Sequence, residues 1–320
     1  MLLLDDGWSC EETAEALYLD DDTVRTWRKT YDKDGVEGLR RFEAGGSSSL
    51  LTQAQEEELV TYISQALPRS TREVGVFIEQ VFGVVYESRS GLIALLHRLG
   101  LEYRKPKMMG RGLDARAQQA FVDAYDKLMN SLNVDEAVVF ADAVHPTYAA
   151  RAAGCWAPKT EHLVVAQTSG RQRLNIHGAL DLETGKTAMI EVESVDAAST
   201  IKLLETIEAK YPLSTLIHVF LDNARYHHAA LVQEWLAQPD RRIKLHFIPA
   251  YSPHLNPIER LWGLMHKHLT HNKCWRDYST FAQTILWFLR DKVPRCWEMF
   301  RDSLTDNFRV INPKDFRVLG

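Results

Sequence analysis

The stretch Ala250-Tyr251-Ser252-Pro253-His254-Leu255-Asn256-Pro257-Ile258-Glu259-Arg260-Leu261-Trp262 sets a carboxylate, Glu259, just inside the start of a helix. Pro253 and Pro257 stiffen the approach, and a proline in the first helical turn gives up no hydrogen bond that the helix would use. Upstream, Val219-Phe220-Leu221-Asp222-Asn223 reads as an apolar strand that ends on an acid, and Val138-Val139-Phe140-Ala141-Asp142 repeats the pattern. Two acids at strand ends and one on a helix can converge on a hard cation, which is what chemistry on a phosphodiester requires.

The elements around these acids alternate from about Asp135 onward. Ala137 to Asp142 reads as a strand. Arg173 to Leu180 and Thr187 to Val192 read as two more, joined by the hairpin-like turn Glu183-Thr184-Gly185-Lys186. A helix follows from Ala198 to Tyr211, then a buried strand from Leu216 to Leu221, marked by its continuous apolar run. His228 to Ala237 (helix), Ile243 to Ile248 (strand) and Pro257 to about His271 (helix) complete the series. Three strands, then helix, strand, helix, strand, helix is the order of an α/β RNase H-like fold. In such a fold the first strand is central and the strand ending at Asp222 lies beside it. Asp142 and Asp222 then share one sheet edge, and Glu259 approaches from the last helix.

The N-terminal part is helical in texture. Glu11 to Leu17 reads as a helix, Tyr18 to Asp21 as a tight turn, and Asp22 as the cap of a helix running to about Tyr31. Val24 and Trp27, three apart, are expected to face inward, leaving Arg25, Arg28 and Lys29 outward. Helix, short turn, helix with a basic outer face is the helix-turn-helix pattern. The first helix, Met1 to Asp6, reads as shortened. Gly45 to Ser49 has linker composition. A second helical unit then follows, with Thr52 capping a helix to about Leu67 and further helices at Thr71 to Val81 and Ser88 to Leu99. It closes on the basic tail Arg104-Lys105-Pro106-Lys107, with Arg111 beyond. The expected organisation is residues 1–44 (helix-turn-helix), 45–51 (linker), 52–112 (second helix-turn-helix, winged-helix-like), 113–134 (connecting helix) and 135–320 (catalytic α/β domain).

Size and composition narrow the classes. The 320 residues suffice for two or three domains, and 45% hydrophobic with 25% charged residues is ordinary for a globular chain. No apolar run approaches the ~18 residues of a membrane span, and the start Met1-Leu2-Leu3-Leu4-Asp5-Asp6 lacks the basic region of a signal peptide. A cytosolic protein is expected. The four cysteines form no close pair, so neither a disulfide framework nor a zinc ribbon is suggested. His266, His268, His271 and Cys274 read as a polar helix face with a free thiol rather than a metal site, since only some of them share a face. A net charge of −5 does not advertise nucleic-acid binding, but local basic clusters do offer surfaces for it.

Three carboxylates brought this close repel one another unless cations bind. Oxygen ligands and a phosphate substrate favour Mg²⁺, with Mn²⁺ as substitute. Two such ions per site would serve both the attacking and the leaving oxygen.

The motifs carry a resemblance. Phe140-Ala141-Asp142, Leu221-Asp222-Asn223-Ala224-Arg225-Tyr226-His227 and Tyr251-Ser252-Pro253-His254-Leu255-Asn256-Pro257-Ile258-Glu259 are similar to those of bacterial insertion-sequence transposases of the mariner superfamily, in the IS-six-thirty branch. The resemblance extends over nearly the whole chain. It implies a catalytic and metal-holding triad of Asp142, Asp222 and Glu259, and recognition of terminal inverted repeats by the N-terminal half. It further implies hydrolytic cleavage of double-stranded DNA and strand transfer into a TA dinucleotide. One departure is Ala143, where another acid usually follows the first; Val144-His145-Pro146 comes next, and related members carry a histidine here.

Around the triad, Asn223 is expected either to orient a water or phosphate or to cap its turn. His145 is expected to touch substrate or to make a structural hydrogen bond, and Asn256 to fix the loop before Glu259. His227 and His228 are read as helix-start or packing residues, and Trp156 and Trp262 as core. Arg25, Arg28 and Lys29 are expected on end DNA, and Arg104, Lys105, Lys107 and Arg111 on phosphates. Joining two ends calls for a homodimer on DNA, in the cytoplasm of a bacterium and on its nucleoid. The rival readings are a nuclease that cuts without joining and a decayed or domesticated copy acting as a DNA-binding regulator.

Overall fold

Five strands in the order β3-β2-β1-β4-β5 form the sheet of the computed structural model, which describes residues 1–40, 49–168 and 170–319. The chain divides into two units, Met1–Pro106 and Lys107–Gly320.

The elements of the first unit's described residues are all helices: α1 (Leu2–Asp5), α2 (Cys10–Leu17), α3 (Asp21–Arg40), α4 (Gln53–Ala66), α5 (Thr71–Phe82) and α6 (Arg89–Arg98). Ser9 and Glu12 cap α2 reciprocally, and Thr52 and Gln55 do the same for α4. The turn after α2 is closed by Tyr18 in the left-handed region, at φ 54°. The helix expected from Asp22 already includes Asp21, because the N–H groups of Thr23 and Val24 bond to the carbonyl of Asp20. It also runs past Tyr31; the interruption falls at Gly35, whose φ of 64° no helix accommodates. Val24 is buried as expected, but Trp27 is 45% exposed, so the inward face of α3 is narrower than the apolar pair suggests. A separate core of Leu51, Leu59, Val74, Ile78, Leu92 and Leu95 holds α4 to α6 together. Residues 45–48 of the expected linker lie outside the described residues.

The second unit contains α7 (Ala115–Ser131), β1 (Glu136–Val144), β2 (Ile176–Leu180), β3 (Thr187–Glu191), α8 (Ala197–Lys210), β4 (Leu216–Leu221), α9 (Ala230–Leu236), β5 (Ile243–Phe247), α10 (Ile258–Leu269) and α11 (Tyr278–Trp287). β1 pairs antiparallel with β2, and β2 with β3; β1 pairs in parallel with β4, and β4 with β5. The β2–β3 turn forms because the Asp181 carboxylate accepts the N–H groups of Glu183 and Thr184, while Gly185 takes φ 71°.

Side chains alternate across each strand, so the two faces of the sheet carry different cores. One face holds Phe140, Phe220, Ile176 and Leu180 under Phe121, Tyr125, Ile258, Leu261 and Trp262. The other holds Val139, Ala141, Val219 and Leu221 under Leu203, Leu204 and Ile207 of α8 and Val232 and Trp235 of α9. The result is a helix–sheet–helix sandwich of RNase H-like order. Helix α7, expected as a connector, packs into the first of these cores: the Tyr125 ring lies 5.3 Å from that of Phe220, and its hydroxyl donates to Asp306. Trp156, expected in the core, is fully exposed on the long β1–β2 connection.

Phe140 is buried to 1% and stacks on Phe220 at 5.2 Å. Phe140→Ala is expected to lower the unfolding free energy of this unit by about 3–5 kcal/mol. The same change at exposed Met108 should cost less than about 0.5 kcal/mol. Urea unfolding followed by circular dichroism measures both.

Candidate active site

The β1–β4 register pairs Phe140 with Phe220. Asp142 and Asp222 each lie two residues further on, so the alternation of side chains brings both acids to the same end and the same face of the sheet. Asp142 does not end its strand, as the apolar run suggested, but sits inside β1, paired with Gly178 of β2. Asp222 follows the last residue of β4.

Glu259 arrives through the proline-framed run. Residues Pro253–Leu255 make a single 3₁₀ turn, the N–H of Glu259 bonds to the carbonyl of Asn256, and α10 begins at Ile258. Ile258, Leu261, Trp262 and Met265 are buried, which fixes the rotation of α10 and turns Glu259 toward the acids.

Asp142, Asp222 and Glu259 line one pocket of about 310 Å³, together with Asn223, Tyr251 and Asn256. Their oxygens do not crowd onto a single point. Among the described residues only the acidic run Asp20, Asp21 and Asp22 brings three ligand atoms within 4.8 Å of one another, and His266, His268, His271 and Cys274 form no such group. Burial, and next the charge of Glu259, push the Asp142 carboxyl up to about 7. Glu259 is also raised, by burial and then by Asp222. Asp222 is held below the usual carboxylate range, chiefly by its hydrogen bond from His227.

Oxygen donors only, two raised carboxyls and one further orphan oxygen make this pocket fit a divalent cation. The orphan is Oδ1 of Asn256, buried without a hydrogen-bond partner, while the Asn256 Nδ2 donates to the carbonyl of Ala141 at 3.1 Å. Asn256 therefore ties the loop before Glu259 to the strand that carries Asp142.

Two contacts escape a linear reading. The indole Nε1 of Trp262 donates to Oδ2 of Asp142 at 3.0 Å. It reaches across β2 only because residue 178 is glycine: a Cβ there would stand 3.0 Å from the Trp262 ring and 2.4 Å from the Met189 sulfur. His227, expected to be a packing residue, is buried, with Nε2 3.2 Å from Oδ1 of Asp222. The spacing of Glu259 and Trp262, one helical turn apart, was a signal for the first contact; nothing in the sequence marks the second.

The other named residues are spread more widely. Asn223 accepts from His228 at 2.5 Å and lines the pocket. His145 shares a hydrogen bond with Asn175 at 2.9 Å and is not among the lining residues. Arg25 pairs with Glu11 and Asp21, and Arg28 lies 4.0 Å from Asp32. Arg104 pairs with Glu102, and Lys29, Lys105, Lys107 and Arg111 are exposed.

Residues 137–282 match the family described as DDE superfamily endonuclease, and residues 1–57 and 69–125 each match a winged helix-turn-helix family. The chain is 24% identical over 281 residues to the insertion element IS630 uncharacterized 39 kDa protein of Shigella sonnei, covering 85% of this chain and 81% of that one. It is 31% identical over 131 residues to the uncharacterized protein y4pE/y4sA of Sinorhizobium fredii, covering 41% of this chain and 93% of the relative. The chain belongs to the DDE superfamily, in the branch of the IS630 and mariner transposases.

The fold agrees. A pre-cleavage Mos1 transpososome aligns with a TM-score of 0.55 at 14% identity over 96% of each chain. A Mos1 mariner paired-end complex with Mn aligns at 0.54 and 16%, again over 96% of each. By family the chain is a metal-dependent DDE transposase, whose α/β unit follows two winged helix-turn-helix regions. Among its described residues no helix is long and apolar enough to cross a membrane.

The raised carboxyl of Asp142 has a consequence for stability. Folded Asp142 keeps its proton to about pH 7, against 3.8 for an ordinary aspartate. This group's contribution is therefore full below the unfolded value and is lost as the pH rises through about 7. Asp142→Asn removes the charge and keeps an acceptor for Trp262. In EDTA it is expected to be more stable than wild type at pH 8, by an amount on the order of a few kcal/mol, with the gain shrinking toward pH 5. Thermal melts across that range measure it.

Proposed function

We propose that this transposase binds the terminal inverted repeats of an insertion sequence, hydrolyses the phosphodiester at each element end and joins the freed 3′-hydroxyl to target DNA at a TA dinucleotide. The observation that carries the reading is the meeting of Asp142, Asp222 and Glu259 in one pocket beside the unpartnered oxygen of Asn256. These three acids would hold two divalent ions, Mg²⁺ or in its place Mn²⁺. When bound, such ions lower the pKa of an attacking water or hydroxyl and neutralise charge on the leaving oxygen.

The chain's own residues do the positioning. Asn223 spends its carbonyl on His228, which leaves its Nδ2 to donate to a phosphate oxygen at the pocket wall. Asn256 fixes the loop that delivers Glu259. His145, tied to Asn175, acts through that structural bond. Cleavage and joining share one pocket, so the 3′-hydroxyl made in the first step is the nucleophile of the second and no covalent protein–DNA intermediate is required.

Other residues would bind DNA as well. Arg25, Arg28 and Lys29 would contact end DNA, and Arg104, Lys105, Lys107 and Arg111 would add phosphate contacts. Two ends must be brought together before joining, which calls for a homodimer assembled on DNA. The work is done in the bacterial cytoplasm, on the nucleoid.

Incubating the protein with a labelled duplex carrying the flanking inverted repeat, in Mg²⁺, Mn²⁺ or EDTA, tests the reading. Joined products that need the metal and vanish with Asp222→Ala are expected. Cleavage that survives EDTA or Asp222→Ala contradicts it, and cleavage without joining reduces the protein to a nuclease. In binding assays, Lys107→Ala should weaken all duplexes alike and lower the salt slope by about 1.

A further inference from the structure

We propose that His227 is a positioning residue for Asp222, braced from α8 by Thr200; the inference rests on the reading of Asp222 as a cation ligand. The Asp222 side chain is 54% exposed, whereas that of His227 is 3% exposed and its Nε2 lies 3.2 Å from Oδ1 of Asp222. The N–H of Ala224 donates to the same oxygen at 3.2 Å. The contacts of His227 and Ala224 thus both fall on Oδ1 of Asp222.

The other side of the ring meets α8. Nδ1 of His227 lies 3.4 Å from the hydroxyl of Thr200, and that hydroxyl donates to the carbonyl of Asp196 at 2.8 Å, which fixes its place beside the ring. The ring has little room to turn. Tyr226 packs 4.4 Å from it and buried His177 lies 6.0 Å away. A 3₁₀ turn over Arg225–His228 folds the chain back so that a residue five positions after Asp222 can reach it.

A half-exposed carboxylate samples several rotamers, and a ligand must be confined to one. His227 supplies that confinement from the buried side, anchoring Asp222 to α8 rather than only to its own strand. Hydrogen-bond partners of metal ligands commonly set about 10–100-fold in metal affinity.

The test is Mn²⁺ binding to the full chain without DNA, read by the electron paramagnetic resonance of free Mn²⁺, with thermal melts alongside. His227→Ala is expected to weaken binding by about 10–100-fold. His227→Gln, whose amide N–H can still reach Oδ1, should recover most of it, and Thr200→Val should lose a smaller factor. Wild-type binding by His227→Ala overturns the inference, as does a His227→Gln that melts like wild type yet binds no better than His227→Ala. Asp222→Ala separates the levels. If it binds Mn²⁺ as wild type does, the cation site itself is wrong and the positioning role falls with it. If it is weak while His227→Ala is not, the positioning role alone falls.

Discussion

Backbone hydrogen bonds between β1 and β4, running parallel, set the spacing on which the pocket depends. With Phe140 opposite Phe220, the two acids two residues beyond are carried to the same depth and face of the sheet. A slip of one residue in either strand would send one carboxylate to the opposite face, under α8. The register is protected by what it buries: Phe140, Phe220, Tyr125 and Phe121 interlock on one face, and Val139, Val219 and Leu221 pack under α8 and α9 on the other. The apolar residues of these strands are therefore as necessary to the site as the acids they carry.

Against that rigid frame works the repulsion among the acids. Burial and neighbouring charge raise Asp142 and Glu259, while His227 holds Asp222 down. The fold divides the three carboxyls into one held below the usual carboxylate range and two raised above it. Such a pocket lowers the stability of the unliganded protein near neutral pH, and sites that bind a charged group commonly carry such a cost. Trp262, Asn256 and His227 keep the acids in place from three directions, through an indole N–H on α10, an amide on the approach loop and an imidazole anchored to α8.

Much of this was legible in the sequence because the decisive signals are local. An apolar run ending on an acid marks Asp142 and Asp222, and two prolines before a helix mark the entry of Glu259. The alternation of strands and helices after Asp135 gives the order of the sheet. What was not legible depends on contacts between distant segments. Trp27 and Trp156 look like core residues by type, yet their exposure is set by what else reaches them: Trp27 stays 45% exposed and Trp156 fully so. Helix α7 reads as a connector until Phe121 and Tyr125 are seen beneath the sheet. The bond from Trp262 to Asp142 requires a glycine on a third strand, and His227 finds its role only because α8 brings Thr200 to its far side.

The central claim is that Asp142, Asp222 and Glu259 form a cation site, and crystals of the protein soaked in Mn²⁺ test it most directly. Anomalous difference density should appear in the pocket, bounded by these three carboxylates and close to the Asn256 side chain. A pocket without such density at saturating Mn²⁺, or density confined to other acids such as Asp20 to Asp22, would contradict the account.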